Sequence, residues 1–367
     1  MINFLTQEPQ NPQEPPPWDG VAPPEIDTWG QLPKLASDFH DVDGLFYFTY
    51  AVCIFFFVLI VGVLAYSMVA HRRKTWDQPA LSNFTHNTPL EVIWTVIPLI
   101  IVMIMFAWGF KGSLDMTTTP QAAKTNTYKA TAKQWNWTFT YPNHPTPSFG
   151  EVYVVADKPV QFYLESTDVL HAFYVPQMRV KRDVIPGRFQ SVWFTPHFTR
   201  EHTGDGPRIE TMHLFCAEYC GQDHSRMYAK VHVVEQDYFD TAPWDQWPAD
   251  DAPLEDLVKA GEGLYKQQCI SCHSVDGSPG TGPSWKGLFT KDANGEYVGR
   301  QREVLVGGAP QTITVDDAYI TESIYDPEAK KVAEEPYVRN AMSVFKPDTI
   351  DERRVKGLIA FMKSLAD

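Results

Sequence analysis

The twelve residues CAEYCGQDHSRM, at positions 216–227, place several metal-binding side chains close together. Cys216 and Cys220 lie four positions apart, and His224 and Met227 follow directly. Thiolates, an imidazole and a thioether are the soft ligands that copper prefers. Two cysteines at this spacing on a tight loop can each bridge a pair of metal ions. The stretch therefore predicts a copper site.

A second imidazole for such a site is available upstream, because His171 ends a β-prone run. Zinc is the weaker alternative, since it prefers four Cys or His ligands and rarely uses methionine. A disulfide between Cys216 and Cys220 is the other alternative, if the compartment is oxidising. Neither alternative explains why His224 and Met227 follow at once.

A second motif, CISCH, lies at positions 269–273. The spacing C-x-x-C-H is the signature of c-type haem attachment. In such a site Cys269 and Cys272 form thioethers to the haem, and His273 becomes an axial iron ligand. A helical pattern over 254–268 precedes the motif, and another over 350–365 closes the chain. These residues predict a small helical domain wrapped around a large cofactor.

Two apolar stretches near the N-terminus are long enough to cross a bilayer, which takes about 20 residues. Positions 45–69 contain no Asp, Glu, Lys or Arg, and neither do positions 92–110. We therefore predict a transmembrane hairpin over 45–110, with spans at 45–69 and 90–110. The alternative, a pair of buried core helices, is disfavoured because so long an uncharged run is rare in soluble folds.

The charges around these spans set their orientation. The first span is followed by HRRK at 71–74, whereas the arm before it, residues 1–44, holds eight acidic residues, eight prolines and a single base, Lys34. By the positive-inside rule the basic loop is cytoplasmic, so both termini and everything after 110 lie outside. The arm itself is predicted to be extended and irregular, because its composition buries little apolar surface.

The whole chain is acidic, with 31 Lys and Arg against 45 Asp and Glu and a formal net charge of -14 among 367 residues. This charge argues against nucleic-acid binding, which needs a cationic face. Five cysteines are too few for a disulfide scaffold of this length.

The segment from 111 to 238 is predicted to be a β-domain. Short β-prone runs at 128–141, 151–157, 160–166, 190–195 and 227–234 are separated by Pro, Gly and Asp. This spacing favours an antiparallel sandwich or barrel. Residues 239–253, rich in Pro, Trp and Asp, are predicted to be a linker to the haem domain at 254–367.

The second span has a clear start signal in the sequence Thr88-Pro89-Leu90-Glu91. We predict that Thr88 is the N-cap, that Pro89 takes the first helical position, and that Glu91 completes a capping box.

The copper motif, the upstream His171 and the hairpin together resemble subunit II of the haem–copper cytochrome c oxidases, over about 40–238. The resemblance implies a cupredoxin-like barrel that holds a dinuclear copper A centre. Quinol oxidase subunit II shares the fold but lacks these ligands. The implied copper ligands are His171, Cys216, the backbone carbonyl of Glu218, Cys220, His224 and Met227. The side chain of Glu218 is further implied to bind magnesium at the interface with subunit I.

Two more positions match this family. The segment QWNW at 134–137 resembles its aromatic segment, which implies that Trp135 is where electrons enter from cytochrome c. A half-buried aromatic side chain on a strand is the simpler alternative. Glu91 matches the glutamate at the mouth of a proton pathway, although an acid in the first turn of a helix is also favoured by the helix dipole. Both roles of Glu91 can hold together.

The C-terminal domain resembles the all-α class I cytochromes c. The sequence Thr281-Gly282-Pro283 is similar to the segment whose proline lies over the proximal histidine. The resemblance implies Met342 as the second axial ligand, because it precedes the closing helix. Met362 is predicted to pack in the core on the apolar face of that helix.

The order hairpin, copper domain, cytochrome c domain resembles subunit II of the caa3-type oxidases. This implies an electron path from haem c to copper A and on to haem a of subunit I, which reduces dioxygen and pumps protons. The implied partners are subunit I, subunit III and an external donor, either a cytochrome c or the membrane-bound cytochrome of a quinol-oxidising complex, in a bacterial inner membrane. Two alternatives stay open: the copper A subunit of a nitric oxide reductase, and an anchored electron carrier without a catalytic partner.

Overall fold

The computed structural model describes residues 24–28, 30–79, 82, 84–249, 251–270, 272–334, 337, 342, 344–347 and 349–366. Most of the predicted arm, residues 1–23 and 29, lies outside the described residues, as does Ser271 of the CISCH motif.

Two long helices form the hairpin, α1 (His40–Ala70) and α2 (Thr88–Thr117). Neither helix contains a buried residue, and both are long and apolar enough to cross a membrane. A helix that is apolar on every side needs an apolar solvent around it, which lipid supplies. Both helices extend past the predicted spans of 45–69 and 90–110, because their polar ends continue the helix beyond the apolar run.

The predicted cap of α2 is wrong by one residue. Asn87, not Thr88, is the N-cap, and its Oδ1 accepts a hydrogen bond of 3.2 Å from the backbone N–H of Leu90. Glu91 closes the reciprocal contact, since its Oε1 accepts from the backbone N–H of Asn87 at 2.9 Å. Asn and Thr both cap helices well, so the sequence alone did not separate them.

The middle of the chain folds into a sandwich of two five-stranded sheets. One sheet has the order β3-β2-β1-β5-β8 and the other β4-β10-β9-β6-β7. The strands are β1 (Thr127–Lys133), β2 (Asn136–Tyr141), β3 (His144–Phe149), β4 (Glu151–Val155), β5 (Val160–Ser166), β6 (His171–Val175), β7 (Val180–Val184), β8 (Gln190–Phe194), β9 (Ile209–Cys216) and β10 (Tyr228–Val234). In the chain, a short helix precedes these strands, α3 (Gln121–Lys124), and another follows them, α4 (Gln236–Phe239).

The sandwich is confirmed, but it is not wholly antiparallel, because β1 pairs with β5 and β4 with β10 in parallel. The predicted run at 128–141 is two strands, β1 and β2, with a turn at Gln134 and Trp135. Strands β3, β6, β7 and β9 were not predicted. The core between the sheets is aromatic, with Trp137 packed edge-on against Phe173 at a centroid distance of 5.8 Å.

The end of the N-terminal arm packs on this sandwich, against the prediction of an irregular arm that buries little. Ala36 and Phe39 are buried in its core. The backbone N–H of Ala36 donates to the carbonyl of Gln177 at 2.8 Å, and the Arg179 guanidinium pairs with Asp43. These contacts fix the start of α1 to the β-domain.

The described residues of the C-terminal domain form three helices, α5 (Leu254–Gln268), α6 (Asp317–Tyr325) and α7 (Glu352–Ser364). Helices α5 and α7 cross where Gly261 faces Gly357, and a Cβ at Gly261 would lie 1.9 Å from the Gly357 carbonyl oxygen. The all-α prediction missed five short strands: β11 (Phe289–Lys291), β12 (Tyr297–Gly299), β13 (Gln301–Val306), β14 (Ala309–Thr314) and β15 (Lys331–Val332).

The described residues of the predicted linker at 239–253 contact both domains. Trp244 stacks on Tyr141 of the sandwich, with ring centroids 3.8 Å apart. Trp247 donates its indole N–H to the backbone carbonyl of Arg353 on α7, at 3.1 Å. The copper and cytochrome domains also touch directly, because Phe149 of β3 is buried in the hydrophobic core of the cytochrome domain.

Candidate copper and haem sites

The two thiols of the copper loop lie side by side. Strand β9 ends at Cys216, and its Sγ is 3.8 Å from the Sγ of Cys220. Cys216 Sγ is also 3.8 Å from His171 Nδ1 and 3.2 Å from the carbonyl oxygen of Glu218. The ligand atoms of His171, Cys216 and Cys220 all lie within 4.8 Å of one another.

The other two predicted ligands surround Cys220. His224 Nδ1 lies 3.4 Å from Cys220 Sγ, and Met227 Sδ lies 3.7 Å from it. Each thiol therefore has one imidazole beside it. This nearly symmetric set of two soft sulfurs and two imidazoles, with one thioether and one carbonyl, fits a pair of copper ions. The sulfur separation is far longer than the 2.03–2.05 Å of a disulfide.

A carboxylate orients the first imidazole from behind. His171 is fully buried and starts strand β6, rather than ending a strand as predicted. Its Nε2 lies 2.8 Å from Asp168 Oδ1, and the other oxygen of Asp168 accepts the backbone N–H of Gln134 at 2.7 Å. A carboxylate in this place fixes the tautomer and the ring orientation of a metal ligand.

These contacts, together with burial, set the protonation of the side chains in the metal-free loop. Burial opposes charge on His171, but hydrogen bonds to Asp168 and Cys216 raise the pKa of His171 to about 9. Burial likewise opposes ionisation of Cys216, yet the His171 contact outweighs it and lowers the pKa of this thiol. Burial and the neighbouring Cys216 charge both raise the pKa of Cys220. Metal binding must therefore displace protons from the loop.

Glu218 and Trp135 occupy different positions around this loop. The backbone carbonyl of Glu218 faces the Cys216 thiol, while the residue is exposed and its side chain is accessible to a partner. Trp135 is half-buried and donates its indole N–H to the carbonyl of Cys220 at 3.2 Å. Gln134 donates to the same carbonyl through its Nε2, at 2.7 Å. Glu91 lies far away in the chain, at the start of α2, where its observed contact is the cap.

The haem motif lines a cavity in the cytochrome domain. Cys269, Cys272, His273 and Met342 all line it. The His273 Nδ1 is 2.8 Å from the carbonyl oxygen of Pro283, which leaves the Nε2 for an axial bond. Burial lowers the pKa of His273, so its imidazole is neutral as a ligand must be.

The chain is fitted closely around that histidine. A Cβ on Gly282 would lie 2.5 Å from His273 Cε1, so no other residue fits there without movement. Gln268, the last residue of α5, is 7% exposed and lines the cavity, and among the described residues its Nε2 has no hydrogen-bond partner. A buried donor is usually hydrogen-bonded, so this one fits a cavity that holds a cofactor with polar groups at its edge.

Both methionines of this domain line the cavity. Met342 is half-buried in the segment before α7, whereas Met362 is 3% exposed and packs in the hydrophobic core. Met362 was predicted to be core, and its cavity contact was not foreseen.

Sequence reasoning missed four residues at the two sites. They are Asp168 behind His171, Gln268 in the haem cavity, and Lys133 and Gln134 at the end of β1 and in the turn that follows it. Lys133 and Gln134 belong to the copper domain, yet both line the haem cavity. The only signal for Gln134 was its place beside Trp135 in the aromatic segment.

Models of three protein families match the chain. They are the transmembrane domain of cytochrome C oxidase subunit II at residues 31–111, the periplasmic domain of cytochrome C oxidase subunit II at 150–234, and cytochrome C oxidase, cbb3-type, subunit III at 256–362.

Similar curated proteins carry the name cytochrome c oxidase subunit 2. The protein from Alkalihalophilus pseudofirmus is 28% identical over 313 residues, which cover 84% of this chain and 82% of the relative. The protein from Synechocystis is 30% identical over 272 residues, covering 61% of this chain and 76% of the relative. Among solved structures, the periplasmic domain of cytochrome oxidase subunit II from Bradyrhizobium japonicum is 30% identical, covers 34% of this chain and 94% of that one, and has a TM-score of 0.29.

Proposed function

The chain belongs to the cytochrome c oxidase subunit II family, and on that premise we propose the route by which it carries electrons. It is a membrane protein with two spans, a periplasmic-side domain and a fused cytochrome c domain, and it transfers electrons to a haem–copper terminal oxidase. The proposed route runs from an external donor into the cytochrome domain, across to the copper domain, and on to haem a of subunit I.

The proposed ligands divide between two domains, and the bound groups supply one-electron redox chemistry. Copper A would be held by His171, Cys216, the Glu218 carbonyl, Cys220, His224 and Met227. Haem c would be held by Cys269, Cys272, His273 and Met342. The exposed carboxylate of Glu218 is proposed for magnesium at the subunit I interface, and Glu91 for the mouth of a proton pathway.

One observation supports transfer between the two sites. Gln134 lines the haem cavity, and its side-chain N–H binds the carbonyl of Cys220, a proposed copper ligand, at 2.7 Å. A single side chain thus reaches from one site to the other. Trp135, the next residue, also contacts the Cys220 carbonyl. It is therefore proposed as part of the same electron route. Tethering the two domains makes the step intramolecular.

Two contacts outside the proposed ligand set orient the histidine ligands. Asp168 contacts the imidazole of His171, and the carbonyl of Pro283 contacts that of His273. Ligands held in this way keep the geometry of each site unchanged between its oxidised and reduced states.

The proposed placement of the chain is a bacterial cell membrane, with the HRRK loop at 71–74 inside and both termini outside.

The test is spectroscopy of the purified full chain after haem attachment and copper loading. We expect a low-spin haem c visible spectrum and a mixed-valence dinuclear copper EPR signal from the same molecules. As a matched control, the double variant Cys269→Ala, Cys272→Ala should lose covalent haem and keep the copper signal. Absence of either signal from the unaltered chain would overturn the proposal.

A further inference from the structure

The haem cavity has a wall that belongs to the copper domain. Lys133 ends strand β1, and with Gln134 and Asn136 it lines the cavity that also holds Cys272 and His273. The cavity is therefore complete only when the copper and cytochrome domains are in contact.

Lys133 brings an uncompensated charge to this wall. Its ammonium lies 5.3 Å from the centroid of the Phe345 ring and, among the described residues, pairs with no carboxylate. Burial lowers its pKa, while the negative charges of Asp168 and Cys272 act in the opposite direction. A half-buried cation without an ion pair is costly unless another group gains from its charge.

The other lysines of the cavity are already offset. Lys330 pairs with Glu322 at 2.6 Å, and Lys331 pairs with Glu328 at 2.7 Å, all within the cytochrome domain. Arg302 also lines the cavity, but it comes from the cytochrome domain and is present whether or not the domains touch. Lys133 alone among these cations depends on domain contact.

We propose that Lys133 of the copper domain raises the reduction potential of haem c across the domain boundary. Reduced haem carries one positive charge fewer than oxidised haem, so a nearby cation in a medium of low dielectric constant favours the reduced state. The inference rests on the proposed function, because it takes haem c to fill this cavity. Transfer from the external donor gains driving force, and the step to copper loses the same amount.

The test compares Lys133→Met with Lys129→Met in the full, haem-loaded and copper-loaded chain. Lys129 lies on the same strand and is paired with Glu165 at 2.5 Å, and it does not line the cavity. Potentiometric titration of the haem c visible bands is the readout. For Lys133→Met we expect the ratio of reduced to oxidised haem at a fixed ambient potential to fall roughly threefold to tenfold.

The controls make every outcome informative. Lys133→Arg should keep the potential near that of the unaltered chain, and Lys129→Met should leave it unchanged. If Lys133→Met does not retain haem, Lys133→Gln is titrated in its place. An unshifted potential in the neutral variant, or an equal shift in Lys129→Met, would overturn the inference. If the unaltered chain itself showed no haem c spectrum, the proposed function would fail instead.

Discussion

The copper site and the haem cavity differ in how the chain builds them. All proposed copper donors come from one sandwich and lie on strands β6 and β9 and in the loop before β10. The pairing of these strands sets the distances between the donor atoms. The haem cavity takes walls from two domains, including Lys133 and Gln134 of the sandwich. A site within one domain is preorganised by the fold of that domain. The lining of a shared cavity also depends on whether the two domains are in contact.

The largest expected effect removes the copper site alone. Cys220→Ser should abolish the mixed-valence copper signal, because Cys220 lies at the centre of the donor group. The haem c spectrum should survive, since no copper ligand contributes to the cavity. EPR and visible spectra of one sample measure both. Cys53→Ser, in the exposed face of α1, is the control that changes neither. A copper signal that persisted in Cys220→Ser would contradict the assignment.

The next effect sharpens the haem side of the comparison. Met342→Ala should lose the methionine–iron charge-transfer band while haem stays covalently attached. Met362→Ala should keep the band but lower the free energy of unfolding by about 2–5 kcal/mol, because it empties a buried core position. Absorption spectra and denaturant unfolding separate the two. The reverse pattern would move the axial ligand to Met362.

Copper loading should depend on pH through His171. In the copper-free chain this imidazole is protonated at pH 7, since its pKa is raised to about 9, and only the neutral ring binds metal. Apparent copper affinity should therefore rise with pH through about 9 as His171 loses its proton, and keep rising above that pH because the Cys220 thiol, whose pKa is also raised, must ionise too. Competition titrations at several pH values measure this. Asp168→Asn should move the rise to lower pH, and the account of His171 would fail if the profile did not move.

The smallest expected effect concerns the contact between the two sites. Gln134→Ala should slow transfer from haem c to copper A severalfold, because it removes the hydrogen bond to the Cys220 carbonyl and opens a gap in the cavity wall. Both spectra should remain intact. Gln161→Ala, a buried glutamine of β5 outside the cavity, is the matched control. An unchanged rate in Gln134→Ala would show that the route avoids this side chain.

The copper loop and the haem motif could be predicted from the sequence because each is a local pattern. Cys216, Cys220, His224 and Met227 lie within twelve consecutive residues, and CISCH takes five. His171 was proposed only as an imidazole available 45 residues upstream, and Asp168 was not predicted at all, because the contact of this pair with the copper loop depends on the pairing of β6 with β9. The short strands of the cytochrome domain were missed for a related reason, since brief polar runs such as β13 and β14 carry little periodic signal.

The contact between domains was beyond sequence reasoning. Trp244 and Trp247 looked like linker composition, yet both pack, one on each domain. Trp135 was singled out from its aromatic segment, while its neighbours Lys133 and Gln134 reach the haem cavity. Which side chain of a turn faces a second domain is decided by packing between residues far apart in the chain.

The central claim, that electrons cross from the cytochrome domain to the copper domain within one molecule, is tested most directly by rapid-mixing kinetics. Haem c of the full, loaded chain is reduced quickly, and its reoxidation is followed together with reduction of copper A, over a wide range of protein concentration. The account predicts a first-order rate that does not change with concentration. A rate that rose in proportion to protein concentration, or haem that stayed reduced beside oxidised copper despite a favourable potential difference, would contradict it.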